Sequence, residues 1–146
     1  MVGIIVVIWV IIALPNFLRF AARAKQSEAK QDLGALYTTY QAYHNEYHTY
    51  PSSPLIQKGD TLYNCFTITH WKPKEQWPRY NFNCMGTEVF SPPLNDYPCP
   101  PGITTTATKD SFTVAACGNV DNDATVDVWT IDDRKKLKNV VDDVRK

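Results

Sequence analysis

"MVGIIVVIWVIIALPNFLRFAARAKQSEAK", Met1–Lys30, is the stretch on which the fold turns. Its first eighteen residues carry no charged side chain, and the next twelve carry five. Met1–Leu14 is rich in Ile and Val but shorter than the roughly 20 apolar residues that span a bilayer. It also lacks the basic flank and small-residue cleavage site of a secretory signal. No polar stop or Gly/Ser linker follows it. Instead Ala21, Ala22, Ala24, Ala29 and Ala35, among Lys, Gln and Glu, continue as strong helix formers. Ala29, Leu33, Leu36, Tyr40, Tyr43 and Tyr47 recur at steps of three and four, which is one helical face. The pattern predicts a helix to about Tyr47, closed by Pro51. At 1.5 Å per residue its length is about 70 Å. A head of about ninety residues needs far less, so the N-terminal part requires a partner outside this chain. Pro15 removes one hydrogen bond and clashes with the preceding turn, at a cost of about 3 kcal/mol. An interruption of the helix is therefore expected near Pro15 in the assembled state.

The 146 residues allow one domain with an appendage. The sequence divides into an assembly helix, 1–50, and a head, 51–146. Formal net charge is zero, so no global basic field points to nucleic acid. Cys65, Cys84, Cys99 and Cys117 all lie in the head, with neither a CxxC spacing nor a nearby His at zinc-ligand spacing. An even number, widely spaced in a small domain, predicts two disulfides formed outside the cytoplasm. Three connectivities are open.

The segment "ALPNFLRFAARAKQSEAKQDLGALYTTYQAYHNEYHTYP", Ala13–Pro51, resembles the N-terminal helix of type IV pilins of the type IVa-like, deltaproteobacterial kind. More distantly it is similar to the major pseudopilins of type II secretion. The resemblance is strong over about the first fifty residues and looser in the C-terminal strands. It implies an α+β fold in which a long helix packs against a small antiparallel sheet. It also implies a structural subunit, not an enzyme, of an extracellular helical filament that serves adhesion, twitching motility or DNA uptake. The partners it implies are further copies of the same chain, the inner membrane before assembly, and the pilus assembly machinery. On this reading the filament-assembly residues are Val2, Ile5, Ile8, Trp9, Ile12, Pro15, Phe17, Arg19 and Arg23, and segment 1–50 spans the membrane before assembly. Pilins carry a glutamate near the mature N-terminus that is thought to guide docking. Met1 corresponds to a position several residues inside that mature segment, so no residue here takes the glutamate's role. The alternatives are a pseudopilin of a secretion system and a membrane-tethered adhesin-like domain.

In the head, "PRYNFNC", "DSFTVAAC" and "ATVDVWTID" have strand character. They predict a three- or four-stranded antiparallel sheet on the tyrosine face of the helix. "PSSPLIQKGDTLYNCF" reads as a surface connection. The segment 85–110 holds five of the ten prolines, which rules out a central strand and predicts an exposed loop tied through Cys99.

Asp121, Asn122, Asp123 and Asp127 cluster within seven residues, and grouped oxygens suit Ca²⁺. The spacing is not that of an EF-hand, and Asp and Asn also cap their own backbone in turns. Major pseudopilins bind calcium in C-terminal loops, so the resemblance points the same way. No other cofactor is expected. His44 and His48 fall at i, i+4 but lack the Glu of a HExxH zinc site. No nucleophile motif or phosphate loop is present. Tyr37, Tyr40, Tyr43, Tyr47 and Tyr50 read as packing against the sheet. Arg19, Arg23, Lys25 and Lys30 follow the apolar stretch, with Glu28 and Asp32 as the acids nearest to them.

Overall fold

The computed structural model describes residues 17–52, 65–74, 79–85, 97–121 and 123–144 in full; of residues 2–16, 56–58, 61–63, 87–90 and 145 it gives the backbone element alone. The helix α1 runs Val2–Tyr47 as one element. In the single chain α1 passes Pro15 as one element; the interruption expected there is a feature of the assembled filament. The strong helix formers from Phe17 onward propagate a helix already nucleated, and that offsets the cost of one proline. The side chains of Val2, Ile5, Ile8, Trp9, Ile12 and Pro15 lie outside the described residues, as does the expected membrane span. Among the described residues no helix is long and apolar enough to cross a membrane.

The helix ends where expected. His48 adopts a left-handed backbone, φ 55°, and its N–H donates to the His44 carbonyl at 2.8 Å. A left-handed residue just past the last turn is a usual helix stop.

Beyond Pro51 the chain forms a hairpin, β1 (Ile56–Lys58) and β2 (Thr61–Tyr63), and a single helical turn, α2 (Cys65–Ile68). The connection expected there is therefore partly structured. The main sheet follows: β3 (Tyr80–Cys84), β4 (Thr87–Phe90), β5 (Thr106–Ala107), β6 (Phe112–Gly118), β7 (Asp127–Asp132) and β8 (Leu137–Val141). Its order is β4-β3-β6-β7-β8, with β5 paired to the start of β6 and every pairing antiparallel. The sheet is thus wider than the three or four strands expected. The additions are short strands: β4 and β8 at the two edges, and β5, two residues long, off the main path. A 3-10 turn, Asp143–Arg145, follows β8.

Both faces of β6 are covered, which is why "FTVAACG" is nearly all small or apolar. On one face Phe112, Val114 and Ala116, with Trp129 and Ile131 of β7, meet Leu33, Leu36 and Tyr40 of α1. Full burial contributes about 1.5–3 kcal/mol for each large apolar side chain. The Phe112 ring is met edge-on by Tyr40 at 4.9 Å and by Tyr50 at 4.8 Å. On the other face Ala115, Cys117 and Val128 lie under Cys99, Ile103, Val126 and Val141. Part of the segment 85–110 therefore covers the back of the sheet, and it contains β4 and β5, so it is not simply an exposed loop. Cover by the sheet ends sooner than the spacing suggests: Tyr40 is fully buried, but Tyr47 is 56% exposed. At 3.6 residues per turn Tyr47 still shares a face with Ala29, so what ends there is the cover and not the face.

Two disulfides form, Cys65–Cys84 and Cys99–Cys117, with Cα separations of 6.6 and 5.2 Å. The first joins α2 to the end of β3, and the second ties the proline-rich segment to β6, as expected of Cys99. At the end of β6, a Cβ added to Gly118 would meet the Arg79 carbonyl at 2.5 Å and the Tyr80 ring at 2.9 Å. Gly118→Ala is expected to cost about 1–3 kcal/mol by overpacking. Urea unfolding followed by tryptophan fluorescence reads that loss; an unchanged midpoint would show that β3 gives way freely.

Candidate functional site

The part of α1 nearest the apolar stretch is bare. Phe17, Leu18 and Phe20 are 69%, 65% and 70% exposed, and Ala22 is the first buried residue of the described helix. From Ala22 onward the helix is fastened to the head by polar contacts as well as packing. Lys25 Nζ donates to the Val120 carbonyl at 2.6 Å, and Lys30 Nζ stands 4.7 Å over the Trp129 ring. Glu28 pairs with Arg79 at 3.4 Å and accepts the Arg79 backbone N–H at 2.7 Å. Asp32 is buried and accepts the Lys74 backbone N–H at 3.3 Å. Both acids nearest the junction cations thus act within the head. Arg19 and Arg23 are exposed and have no acidic partner among the described residues.

Gln26 lies on the buried helix face at 6% exposure, where the pattern of apolar residues would ask for an apolar one. It donates to Asp127 Oδ1 at 2.9 Å and to Asp142 Oδ1 at 3.0 Å. Asp127, fully buried at the start of β7, gathers further donors. The Tyr80 hydroxyl and Trp129 Nε1 reach its Oδ2 at 2.7 and 2.6 Å; Asn139 Nδ2 and the Asp143 N–H each reach its Oδ1 at 3.3 Å. One side chain thereby joins α1, β3, β7, β8 and the C-terminal turn. Burial, and then the bond to Asp127, push the Tyr80 phenol well above its ordinary range. Sequence reasoning missed Gln26, Tyr80, Trp129 and Asn139 as its partners; the one signal was a glutamine on an otherwise apolar helix face.

Of the four residues expected to hold Ca²⁺, Asn122 lies outside the described residues and Asp127 is occupied by the five donors just named. The structure brings Asp121 and Asp123 together with Asp143 instead: one carboxylate oxygen from each lies within 4.8 Å of the others. Asp143 was not among the expected ligands. Its carboxyl is pushed up to about 6, chiefly by burial, with the charges of Asp121, Asp123 and Asp127 adding and the Val120 N–H opposing.

His44 stacks on Tyr50 at 4.4 Å, whereas His48 stands past the helix end in its left-handed conformation. The two histidines therefore do not share a helical face. Tyr37, Tyr40 and Tyr50 converge on Phe112, and Tyr43 pairs with Tyr47 at 4.5 Å. The first group fastens helix to sheet, although only Tyr40 of the three belongs to the spaced face.

No known protein-family model matches the chain. Over 39 residues it is 54% identical to the type IV major pilin protein PilA of Myxococcus xanthus. That stretch is 27% of this chain and 18% of the relative, so the chain spans less than a fifth of the length of the curated relative it matches. The likeness agrees with the pilin resemblance of Ala13–Pro51, and a long N-terminal helix packed on a disulfide-stapled antiparallel sheet is consistent with it.

Proposed function

We propose that this chain is the structural subunit of a type IV pilus, an extracellular helical filament in which the apolar parts of α1 bundle at the centre and the heads face outward. The observation that carries the reading is the bare helix surface of Phe17, Leu18 and Phe20, which follows the apolar stretch in sequence and is covered by nothing among the described residues of the head. Burial is worth about 25 cal/mol per Å² of apolar surface, and further copies of α1 supply the matching surface. Repeated head-to-tail contacts that do not close on themselves generate an open helix. Before assembly the apolar stretch resides in the inner membrane, from which the assembly machinery extracts it. The likeness to a major pilin supports the same role. Adhesion, twitching motility and DNA uptake are the uses such a filament serves.

Electron microscopy of material sheared from the cell surface, with the subunit identified by mass, tests this directly. Long fibres containing the chain are expected. Loss of protein secretion on deletion, without fibres, would establish a pseudopilus instead, and a chain found only as a membrane-held monomer, with neither fibres nor a secretion defect, would establish a tethered binding domain. Arg19 and Arg23 give a second test. Enclosed among helices they require acids from neighbouring copies, and removing one partner of an enclosed pair costs about 3–5 kcal/mol. The Arg19→Ala/Arg23→Ala variant should lose most of its fibres with the head's unfolding midpoint unchanged. Normal fibre numbers with unaltered salt resistance would show that these arginines are only a solvated surface.

A further inference from the structure

Where α1 emerges from the head, helix and head enclose a groove of about 420 Å³. That is within the range of sites for small ligands, about 300–1,000 Å³. Its apolar lining is Leu18 and Ala22 of α1, with Val120 and Val144 of the head. Three charged side chains line it as well: Arg19, Lys25 and Asp121. None of the three forms an ion pair among the described residues. Lys25 gives one N–H to the Val120 carbonyl and keeps two more, since an ammonium carries three donors. Arg19 is exposed, and its guanidinium is a planar fork suited to phosphate. Asp121 is exposed too, with a carboxylate oxygen within 4.8 Å of one from Asp123 and one from Asp143. Negative charge thus gathers on the turn side of the groove and positive charge on the helix side.

We propose that this groove holds the headgroup of one aminophospholipid, of the phosphatidylethanolamine class, while the chain is in the membrane. The inference rests on the membrane residence proposed above. The groove stands at the level where a bilayer surface would lie, directly beyond the bare Phe17, Leu18 and Phe20. Leu18 to Lys25 covers about 10 Å of helix axis, and one headgroup layer is about 5–8 Å deep. The phosphate accepts charge-assisted hydrogen bonds from Arg19 and Lys25, and the primary ammonium donates to Asp121. The apolar lining takes the glycerol and the first methylenes of the chains. A choline headgroup has no N–H to donate, and a glycerol headgroup brings no cation to the acidic side. When copies assemble, Arg19 exchanges the phosphate for acids of neighbouring chains.

The test uses the full chain in nanodiscs of equimolar phosphatidylethanolamine, phosphatidylcholine and phosphatidylglycerol, with retained lipid identified by native mass spectrometry. One lipid per chain is expected, enriched in phosphatidylethanolamine about fivefold, as befits one partly exposed charge pair. Arg19→Ala, at an exposed position, should cut retained lipid of every class severalfold with the head's unfolding midpoint unchanged. Asp121→Asn should keep a lipid but lose the enrichment, a change in preference that a merely structural role would not produce. Lys109→Ala, at the opposite end of β6 from Val120, should alter neither. Retention without preference, unchanged retention in Arg19→Ala, or a preference that survives Asp121→Asn would each overturn the proposal. Failure of the chain to float with phosphatidylcholine vesicles would overturn the membrane reading and this inference with it; flotation without headgroup preference overturns this inference alone.

Discussion

Replacing Asp127 with alanine is expected to destabilise the head by about 2–6 kcal/mol, because it strands two buried donors at about 1–3 kcal/mol each. Those donors are the Tyr80 hydroxyl and Trp129 Nε1, both on Oδ2. Gln26 keeps its Asp142 partner at 3.0 Å and loses less. Asp127→Asn retains one acceptor, and its amide can donate to the Tyr80 oxygen but not to the indole N–H, so an intermediate loss is expected. The decisive comparison is Asp127→Ala in a Tyr80→Phe background. Removing the stranded hydroxyl in advance should make the second substitution milder by about 1–3 kcal/mol. Urea unfolding of the full chain in detergent, followed by tryptophan fluorescence, measures all four corners of the cycle. A loss below about 1 kcal/mol for Asp127→Ala, less than a single stranded donor should cost, would mean that the network contributes nothing net. The same tyrosine sets an alkaline limit. Its folded-state proton is held above the ordinary value of 10.0, as is that of the buried Tyr40. The unfolded chain therefore releases these protons first. Stability is intact below about pH 10 and falls as the pH rises past it. Tyr80→Phe should make that fall shallower.

Much of this architecture is legible in local pattern. The buried positions Ala29, Leu33, Leu36 and Tyr40 follow from their spacing alone, and so does the end of α1 before Pro51. β3, β6 and β7 announce themselves by aromatic and β-branched content. The edge strands do not. "LKNVV" follows five charged residues, and only pairing with β7 makes it a strand. "TEVF" is four residues long and joins the sheet only by pairing with β3. The site was harder to read for the same reason. Asp127 sits in sequence among turn acids, yet its partners Gln26 and Tyr80 lie 101 and 47 residues away. Asp143 belongs to a charged C-terminal run and becomes special only because the chain end folds back beside Val120. Spacing reports which face a residue occupies, but not which distant element will arrive opposite it.

The second large effect is expected from the disulfides. Cys65–Cys84 closes a loop with a sequence separation of 19, and Cys99–Cys117 one of 18. On chain-entropy grounds each cross-link of this length stabilises by about 3 kcal/mol. The loops lie one after the other without overlap, so the two contributions should add. The bonds differ in access. Cys65, Cys84 and Cys117 are buried at 0%, 1% and 0% exposure, whereas Cys99 is only partly covered. Exchange requires a thiolate to reach one sulfur of the pair, so Cys99–Cys117 should open first. Under mild reductant, mass spectrometry after alkylation should find Cys99 and Cys117 labelled while Cys65 and Cys84 remain joined. At that stage the segment over Ala115 and Val128 loosens, but α1 and its fastening through Asp127 stay in place, because neither cysteine touches the helix face of the sheet. Stability should fall by about 3 kcal/mol while fibres persist. Opening Cys65–Cys84 removes the link between α2 and β3 and exposes cysteines that belong to the helix-side core, so unfolding of the head should follow. Simultaneous labelling of all four cysteines at the lowest effective reductant would show that the head opens as one unit and that access does not govern the order.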